Sequence, residues 1–330
     1  MTTLGIDVGG AHLKLADDRG NAHAVGFALW QHPEQLADRL RAAMGGFSNF
    51  EAIAVVMTGE LADCFVDRAE GVRHIVDHVR VAAAAMGVVR VAFYGVDGRF
   101  RDSVCSENDL DLLAAANWHA LASFVGHHVC RSGLLIDIGS TTTDIIPIVS
   151  GQVVTSALTD YDRLSEGSLV YVGCQRTPVC ALCDSLTLRG RVTEVMNEVF
   201  STIDDARIVL GLESEDRDDD TSADGKPRTK EFAANRLARM IGLDRRSVSL
   251  EDAEQLAKQV VASAKSRIAS AIEVQRVRYP GAVPTMVLSG HGLDLLTLPR
   301  DLPTIMLPQR LGSGLSRCAP AYAVATLFET

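Results

Sequence analysis

The sequence lacks the positive charge that general nucleic-acid binding requires. Its formal net charge is -10, and a protein of this sign offers no broad basic surface to a polyanion. It can still bind phosphate groups locally where a metal ion and backbone N–H groups neutralise them. We therefore expect small-molecule substrates as partners and no nucleic acid.

Long apolar runs are also absent. The stretch VAAAAMGVV at residues 81–89 is too short to cross a bilayer and is followed by Arg90. The strand-like LGIDVGG begins within a few residues of the first residue, which leaves no room for a signal peptide. We expect neither a membrane partner nor secretion.

The cysteines do not form a disulfide framework. There are seven of them, an odd number, and they are scattered through a large chain. This usage is typical of reduced thiols in the cytoplasm. We expect a cytoplasmic protein without disulfides.

Strands and helices alternate along the chain, whose 330 residues are enough for two domains with separate cores. This alternation predicts an α/β protein with a mainly parallel or mixed sheet that is covered on both faces. The helices predicted from apolar periodicity and capping residues are 32–44, 74–87, 106–125, 231–241, 250–278 and 318–328. The oligomeric state is left open, and a homo-oligomer is one alternative.

One supersecondary pattern occurs twice. The opening GIDVGGAHLKLA reads as strand, glycine turn and strand, and the pattern restarts at IDIGSTTTDI. Aligning Asp7 with Asp137 also aligns Gly9 with Gly139, and Lys14 with the position of Asp144. Each short motif alone is also what chance gives for a buried strand that ends in a turn. The matched offsets favour an internal duplication.

The duplication predicts two domains. The first spans residues 1–130 and is completed by a C-terminal helix within 314–330. The second spans 131–313 and contains an acidic, turn-rich segment at 213–230, which predicts a mobile loop. The aspartates of this loop do not have the glycine and glutamate spacing of a calcium loop.

Glycine turns that follow a strand and an acid suit a phosphate and metal cluster. Glycine lets the backbone approach a phosphate closely, and a carboxylate can hold Mg²⁺ against the same oxygens. Asp7 and Asp137 are the predicted Mg²⁺ ligands. The predicted phosphate-binding residues, all in glycine turns, are Gly9, Gly10, Gly139, Ser140, Thr141, Thr142 and Gly290.

Three polar side chains beside these turns are predicted to take part in catalysis. Lys14 can neutralise a phosphate as a point charge, although a solvated strand residue is the alternative. Asp144 can orient a water or accept a proton. His291, in the third strand-to-glycine turn VLSGHG, can donate or accept a proton, and a structural hydrogen bond is the alternative.

The stretch YVGCQRTPVCALCDSL permits two kinds of site. Arg176 and Thr177, ahead of a predicted helix, can grip an anionic substrate group because the guanidinium fork is bidentate. Cys174, Cys180 and Cys183 have the spacing C-x5-C-x2-C, which can ligate zinc. Buried cysteines without a metal are the alternative.

These motifs resemble those of the actin-like ATPase superfamily of acetate and sugar kinases, Hsp70 and actin. GIDVGG is similar to the first phosphate motif, DIGSTTTDI to the second, and VLSGHG to the glycine-rich motif near the nucleoside. The resemblance implies two duplicated ribonuclease-H-like domains with a cleft between them. Within the superfamily, DIGSTTTDI is most similar to the D-x-G-G-T-S-T-D of the hydantoinase/oxoprolinase group.

The chain differs from the large members of that group in its length and in having Lys14 where they usually have an acid. It looks more like the small branch linked to tetrahydromethanopterin-dependent one-carbon metabolism. That likeness implies a transferase of methanofuran biosynthesis. Such an enzyme joins an aminomethylfuran-methyl diphosphate to the phenol of gamma-glutamyltyramine and releases pyrophosphate, with Mg²⁺ as cofactor.

Two alternatives remain open. One is a small-molecule kinase or an oxoprolinase-like hydrolase of the same fold, which would bind ATP near residues 289–292. The other is a non-enzymatic scaffold like actin or Hsp70, for which the chain lacks the large additional subdomains.

Overall fold

The fold alternates short strands with helices of very different lengths. A computed structural model describes residues 2–104, 106–281, 284–297 and 302–328. The strands are β1 (Thr3–Val8), β2 (His12–Asp17), β3 (Ala22–Gly26), β4 (Ala52–Met57), β5 (Arg90–Tyr94), β6 (Phe100–Arg101), β7 (Gly133–Ile138), β8 (Thr143–Val149), β9 (Gln152–Val153), β10 (Leu169–Val170), β11 (Ser185–Leu188), β12 (Arg191–Glu194), β13 (Thr285–Gly290) and β14 (Thr304–Met306).

The helices lie between and after these strands. They are α1 (Leu36–Met44), α2 (Arg68–Ala85), α3 (Glu107–Leu113), α4 (Asn117–His128), α5 (Asp160–Glu166), α6 (Val179–Leu182), α7 (Ile203–Val209), α8 (Lys230–Arg239), α9 (Leu250–Arg278), α10 (Leu307–Leu311), α11 (Ser313–Arg317) and α12 (Ala319–Leu327). Single 3₁₀ turns occur at Pro33–Gln35 and Leu293–Leu295. In the ranges that the structure describes, no helix is both long and apolar enough to span a bilayer.

Two mixed sheets repeat the same strand arrangement. The first has the order β3-β2-β1-β4-β5-β6 and the second β10-β8-β7-β13-β14, with β9 paired to β8. In each, the first strand of the repeat has an antiparallel partner on one side, β2 or β8, and a parallel partner on the other, β4 or β13. This confirms the predicted α/β fold with two duplicated halves.

Three layers of buried apolar side chains pack against the faces of the two sheets. Helices α1, α2 and α3 cover the outer face of the first sheet, and α7, α8 and α9 cover the outer face of the second. Helices α4 and α12 lie between the two sheets and share one core with side chains from β4, β7, β8 and β13. Both sheets therefore have two covered faces, as the alternating pattern predicts.

Helix α12 packs directly on β1. A Cβ at Gly5 would lie 1.8 Å from the carbonyl oxygen of Ala321, so only glycine permits this approach. The predicted C-terminal helix at 314–330 is divided into α11 and α12, and its last two residues lie outside the described residues.

The helix predicted at 106–125 is two helices. Ser106 and Asp109 form a capping box at the start of α3. The chain then passes through Ala115, which has a left-handed φ of 48°, before α4 begins at Asn117. Alanine favours helix, so local propensity does not reveal this break.

The segment predicted to be a mobile loop at 213–230 takes part in several ion pairs. Arg228 binds Asp204 at 2.7 Å and Asp219 at 3.1 Å. The fully buried Arg236 binds Asp205 and Asp224. Asp219 and Asp224 of the segment are thus partners of the half-buried Arg228 and the buried Arg236, whereas composition alone indicated a solvated segment.

Candidate active site

The two hairpin turns at the ends of β1 and β7 have the same hydrogen bond. Gly9 N–H donates to the His12 carbonyl at 3.0 Å, and Gly139 N–H donates to the Thr142 carbonyl at 2.9 Å. The amides of Gly9 and Gly139 therefore close the turns, and their phosphate-binding role stays a prediction. The amides without a partner among the described residues are those that follow, at Gly10, Ala11, Ser140 and Thr141.

The third turn, VLSGHG, packs on the second hairpin. His291 N–H and Gly292 N–H both donate to the Ile138 carbonyl, at 2.9 and 3.2 Å. Gly290 has a φ of 91°, and a Cβ there would lie 2.1 Å from the Ile138 oxygen. The conformation of Gly290 thus permits close backbone contact with Ile138, and its phosphate-binding role stays a prediction.

This third turn has a counterpart in the first half that sequence reasoning missed. Thr58 N–H and Gly59 N–H donate to the Val8 carbonyl at 2.9 and 3.0 Å, in the manner of His291 and Gly292 on Ile138. A glycine follows an apolar strand in both halves, and this pattern could have identified the additional turn from the sequence. The duplication therefore extends to a second turn in each half.

Asp7 is buried with half of its carboxylate unused. Its side chain faces Lys14 across β1 and β2, and Lys14 Nζ lies 3.6 Å from Asp7 Oδ2. Asp7 Oδ1 is buried without a partner among the described residues. Burial raises the pKa of the Asp7 carboxyl, and the positive charge of Lys14 opposes the increase.

Asp137 occupies the equivalent place in the second half, opposite Asp144 on β8. Desolvation raises the pKa of Asp137 to about 6, with the Asp144 and Asp7 charges adding to the increase and Lys14 opposing it. The charges of Asp7 and Lys14 thus act on Asp137 from the other half of the molecule. The predicted pair of acids shares one electrostatic environment.

A hard cation fits this pair only with ligands from outside the protein. The described residues contain no group of three His, Cys, Asp or Glu side chains that would hold a metal alone. Mg²⁺ is commonly held by one or two carboxylates, with water and substrate phosphate completing its shell. The unused Oδ1 of Asp7 and the neighbouring Asp137 match that requirement.

Asp144 is held by an arginine. Arg163 Nη2 donates to Asp144 Oδ1 at 2.5 Å, and Arg163 is only 1% exposed. The guanidinium lies 4.1 Å from the centroid of the Trp118 ring, which adds a cation–π contact. One oxygen of Asp144 is therefore committed to an ion pair, which limits its predicted role in proton transfer.

Three cationic side chains that are exposed or partly exposed lie around the cleft, those of Lys14, Arg176 and Arg317. Their charges affect two nearby histidines. Desolvation lowers the pKa of His12, and Lys14, Arg176 and Arg317 lower it further. Desolvation and the charges of Lys14 and Arg317 also lower the pKa of His291. Arg317 was missed by sequence reasoning, because no local motif marks it. Its position depends on α11, which contacts both β3 and β13.

Arg176 is placed by backbone contacts. Gln175 N–H and Arg176 N–H donate to the Ser140 carbonyl at 3.0 and 2.9 Å. Its guanidinium lies 5.9 Å from the ring centroid of Trp30 in the other half. The predicted anion-gripping residue thus spans the cleft, which leaves its fork available to an anion.

Thr177 does not face the cleft in the same way. It is buried, and its hydroxyl accepts a hydrogen bond from Gly173 N–H at 2.9 Å. Its predicted contact with substrate is therefore corrected to a structural contact that fixes the loop carrying Arg176.

The three cysteines of the predicted zinc alternative do not form a metal site. Cys174 is buried, and burial raises the pKa of its thiol to about 11. Cys180 and Cys183 pack against the same apolar core. Since the described residues hold no metal-ligating cluster, this alternative is corrected to free thiols in a core.

Two facing lobes with hairpin turns at their strand ends define the two-domain actin-like ATPase fold. A nucleotide-free structure of acetone carboxylase matches with a TM-score of 0.54 at 10% identity, covering 98% of this chain and 70% of that chain. This likeness confirms the fold.

The family model for hydantoinase/oxoprolinase matches residues 51–293. The chain belongs to the hydantoinase/oxoprolinase family. A relative from Methanocaldococcus jannaschii is 33% identical over 99% of this chain and 97% of its own length. It is named (4-{4-[2-(gamma-L-glutamylamino)ethyl]phenoxymethyl}furan-2-yl)methanamine synthase. A relative of the same name from Methanococcus vannielii is 29% identical over 63% of this chain and 96% of its own length. These relatives are enzymes, and so is this protein.

Proposed function

We propose that the protein is a transferase that makes an aryl ether. It joins an aminomethylfuran-methyl diphosphate to the phenol of gamma-glutamyltyramine, or a related acceptor, and releases pyrophosphate. This is a step of methanofuran-type cofactor biosynthesis in one-carbon metabolism linked to tetrahydromethanopterin, and it takes place in the cytoplasm. The observation that carries the proposal is the group of cations at the cleft, Lys14, Arg176 and Arg317, beside the two glycine hairpins. All three lower the pKa of His12, and Lys14 and Arg317 also lower that of His291.

The cations suit a diphosphate as ligand. Within the described ranges, neither Arg176 nor Arg317 has a carboxylate partner, and Lys14 is shared with Asp7. The free amides of Gly10 and Ser140 supply neutral donors beside them. Charged and neutral donors that are fixed before the ligand arrives stabilise a departing anion without reorganisation.

Asp7 and Asp137 would hold Mg²⁺, which when bound neutralises part of the charge of the diphosphate. The remaining groups act by position and charge. Lys14 offers a positive charge beside Asp7, and Arg176 approaches from the loop fixed to Ser140. These contacts hold the pyrophosphate as it leaves.

The reaction breaks one carbon–oxygen bond and forms another. The bond between the furan methylene carbon and the diphosphate oxygen breaks, and its electron pair leaves with pyrophosphate. The furan ring delocalises the positive charge that develops on the methylene carbon. The phenol oxygen then bonds to that carbon and gives up its proton, so the products are an aryl ether, pyrophosphate and one proton.

The test is incubation of the purified protein with the furan diphosphate, gamma-glutamyltyramine and Mg²⁺. We expect one pyrophosphate released for each ether detected by mass spectrometry. A parallel incubation replaces the diphosphate with ATP and the alcohol form of the furan. Phosphoryl transfer from ATP without ether formation from the diphosphate would overturn the proposal and favour a kinase of the same fold.

A further inference from the structure

A buried acid that the reaction above does not use lies next to the first hairpin. Glu60 follows Gly59, and a Cβ at Gly59 would lie 3.2 Å from the Gly9 carbonyl carbon and 3.3 Å from the Gly10 nitrogen. The Glu60 side chain is 1% exposed, and its Oε2 has no partner among the described residues. A buried carboxylate oxygen without a hydrogen-bond partner costs free energy in the folded state, and such groups often have a functional role.

Glu60 belongs to a cluster of polar groups contributed by both halves of the molecule. The positive charge of Arg68 on α2 lowers the pKa of Glu60 and that of Asp160 on α5. The negative charge of Asp160 raises the pKa of Glu60. Asp160 lies 3.8 Å from Arg163, and Arg163 covers the ring of Trp118. We call these five residues the buried polar cluster.

Several atoms of this cluster lack hydrogen-bond partners. Besides Glu60 Oε2, the Arg68 Nε, Trp118 Nε1 and Arg163 Nε atoms are buried and unpaired in the part of the chain that the structure describes. Three are N–H donors and one is a carboxylate acceptor. Each of these atoms retains a hydrogen-bonding position that a polar group of a ligand can use.

The backbone near Glu60 is strained. Ala115, between α3 and α4, has the left-handed φ of 48°, and its amide opposes the increase in the pKa of the Glu60 carboxyl. Residues in such conformations persist where the surrounding structure enforces them, often beside functional groups. The break between α3 and α4 thus brings a backbone donor to the acid.

We propose that Glu60 accepts the proton of the attacking acceptor hydroxyl, and that the buried polar cluster is the acceptor subsite. This inference rests on the proposed function and assigns the proton that the reaction releases. The acceptor oxygen bonds to the furan methylene carbon, its proton passes to a Glu60 oxygen, and pyrophosphate leaves with the electron pair of the broken bond. The proton then passes to solvent.

The other candidates are less suited to this step. Asp144 has one oxygen in an ion pair with Arg163. Desolvation and the charges of Lys14 and Arg317 lower the pKa of His291 to about 4, which makes it a weak base. Burial raises the pKa of Glu60 to about 7, with Asp160 adding to the increase and Arg68 and the Ala115 amide opposing it, and a base is most effective when its pKa is near the operating pH. Because Glu60 is enclosed in this structure, the acceptor can reach it only in a more open conformation.

The decisive variant is Glu60→Gln, with Glu51→Gln at the exposed start of the same β4 region as the matched control. We expect single-turnover ether formation to fall by about 10²- to 10⁴-fold in Glu60→Gln and to be unchanged in the control. The wild-type rate should rise with pH through a value near 7, and this rise should be lost in Glu60→Gln. Ring-fluorinated acceptors, whose phenols are more acidic, should restore the variant more than the wild type.

The outcomes separate the two proposals. Glu60→Gln with a wild-type rate and pH profile, in a preparation whose wild type forms ether, overturns the role of Glu60 alone. Absence of ether from the wild type overturns both proposals. If Glu60→Gln does not fold, Glu60→Asp keeps the carboxylate one methylene shorter and should show a reduced rate with the pH dependence retained. A reduced rate that fluorinated acceptors and pH leave unaltered would indicate a structural role and reject the proposal.

Discussion

Lys14 lies directly opposite Asp7 across β1 and β2, with its nitrogen 3.6 Å from the Asp7 carboxylate. In the second half the same register places Asp144 opposite Asp137. One hairpin therefore carries an acid and a cation, and the other carries two acids. This asymmetry gives the cleft a positive charge on one wall, beside carboxylates from both halves.

Replacing Lys14 with Met should reduce turnover by about 10² or more, because a positive charge next to the departing diphosphate is lost. Lys258→Met, on the exposed face of α9, is the matched control and should keep the wild-type rate. Pyrophosphate release and thermal unfolding should be measured for both variants. Equal turnover in Lys14→Met and the control would remove Lys14 from the mechanism.

Pyrophosphate binding should change the fluorescence of Trp30. The chain has two tryptophans, and Trp30 faces the Arg176 guanidinium across the cleft. We expect a titration with Mg²⁺ and pyrophosphate to alter the emission as Arg176 turns to the anion. Trp30→Phe should lose the signal, whereas Arg176→Ala should weaken binding about tenfold or more, as for the loss of a charged hydrogen bond. An undiminished signal in Trp30→Phe would contradict this placement.

Two glycine substitutions should have opposite effects. Nothing lies within 4 Å of a Cβ at Gly10, so Gly10→Ala should retain the wild-type stability while its methyl group obstructs a phosphate at the hairpin. A Cβ at Gly290 would meet the Ile138 oxygen at 2.1 Å, so Gly290→Ala should lower the free energy of unfolding by about 2 kcal/mol or more. Thermal unfolding and pyrophosphate release distinguish the two effects. Full activity in Gly10→Ala would show that no ligand approaches there.

Glu60 should make the stability of the protein depend on pH. Its pKa is raised from 4.5 to about 7 in the folded state, so its favourable contribution is complete below the unfolded value and is lost as pH rises through about 7. The Glu60→Gln variant has no carboxyl group to ionise at this position, so it does not lose this stability as pH rises. The free energy of unfolding of the variant relative to wild type should therefore increase by about 2 kcal/mol from pH 5 to pH 8. Urea unfolding at the two pH values measures it, and a constant difference would mean that Glu60 does not titrate in this range.

The sequence predicted the parts of the fold that depend on local pattern. The two strand-turn-strand units, the offsets of Asp7 and Asp137, and helix α9 with its Ser249 cap all follow from nearby residues. Hydrophobic periodicity and capping residues act over a few positions, so they are readable without the rest of the chain.

The parts that depend on contact between the halves were not predicted. Glu60 and Arg317 have no distinctive neighbours in the sequence. Glu60 lies near charges from α2 and α5, and Arg317 is placed by the contacts of α11 with β3 and β13. The acidic segment at 213–230 was interpreted as mobile because the ion pairs of Asp219 with Arg228 and of Asp224 with the buried Arg236 are not evident from composition. Burial of a charge depends on the tertiary structure, which local pattern does not encode.

The packing of α12 on β1 has a consequence for the order of folding. Nearly the whole chain separates the two elements, and contacts of such sequence separation form slowly because of the entropy of closing the intervening loop. During synthesis, β1 keeps one apolar face uncovered until the ribosome releases α12. Relocating α12 ahead of β1 by circular permutation should shorten the interval in which this face of β1 is uncovered.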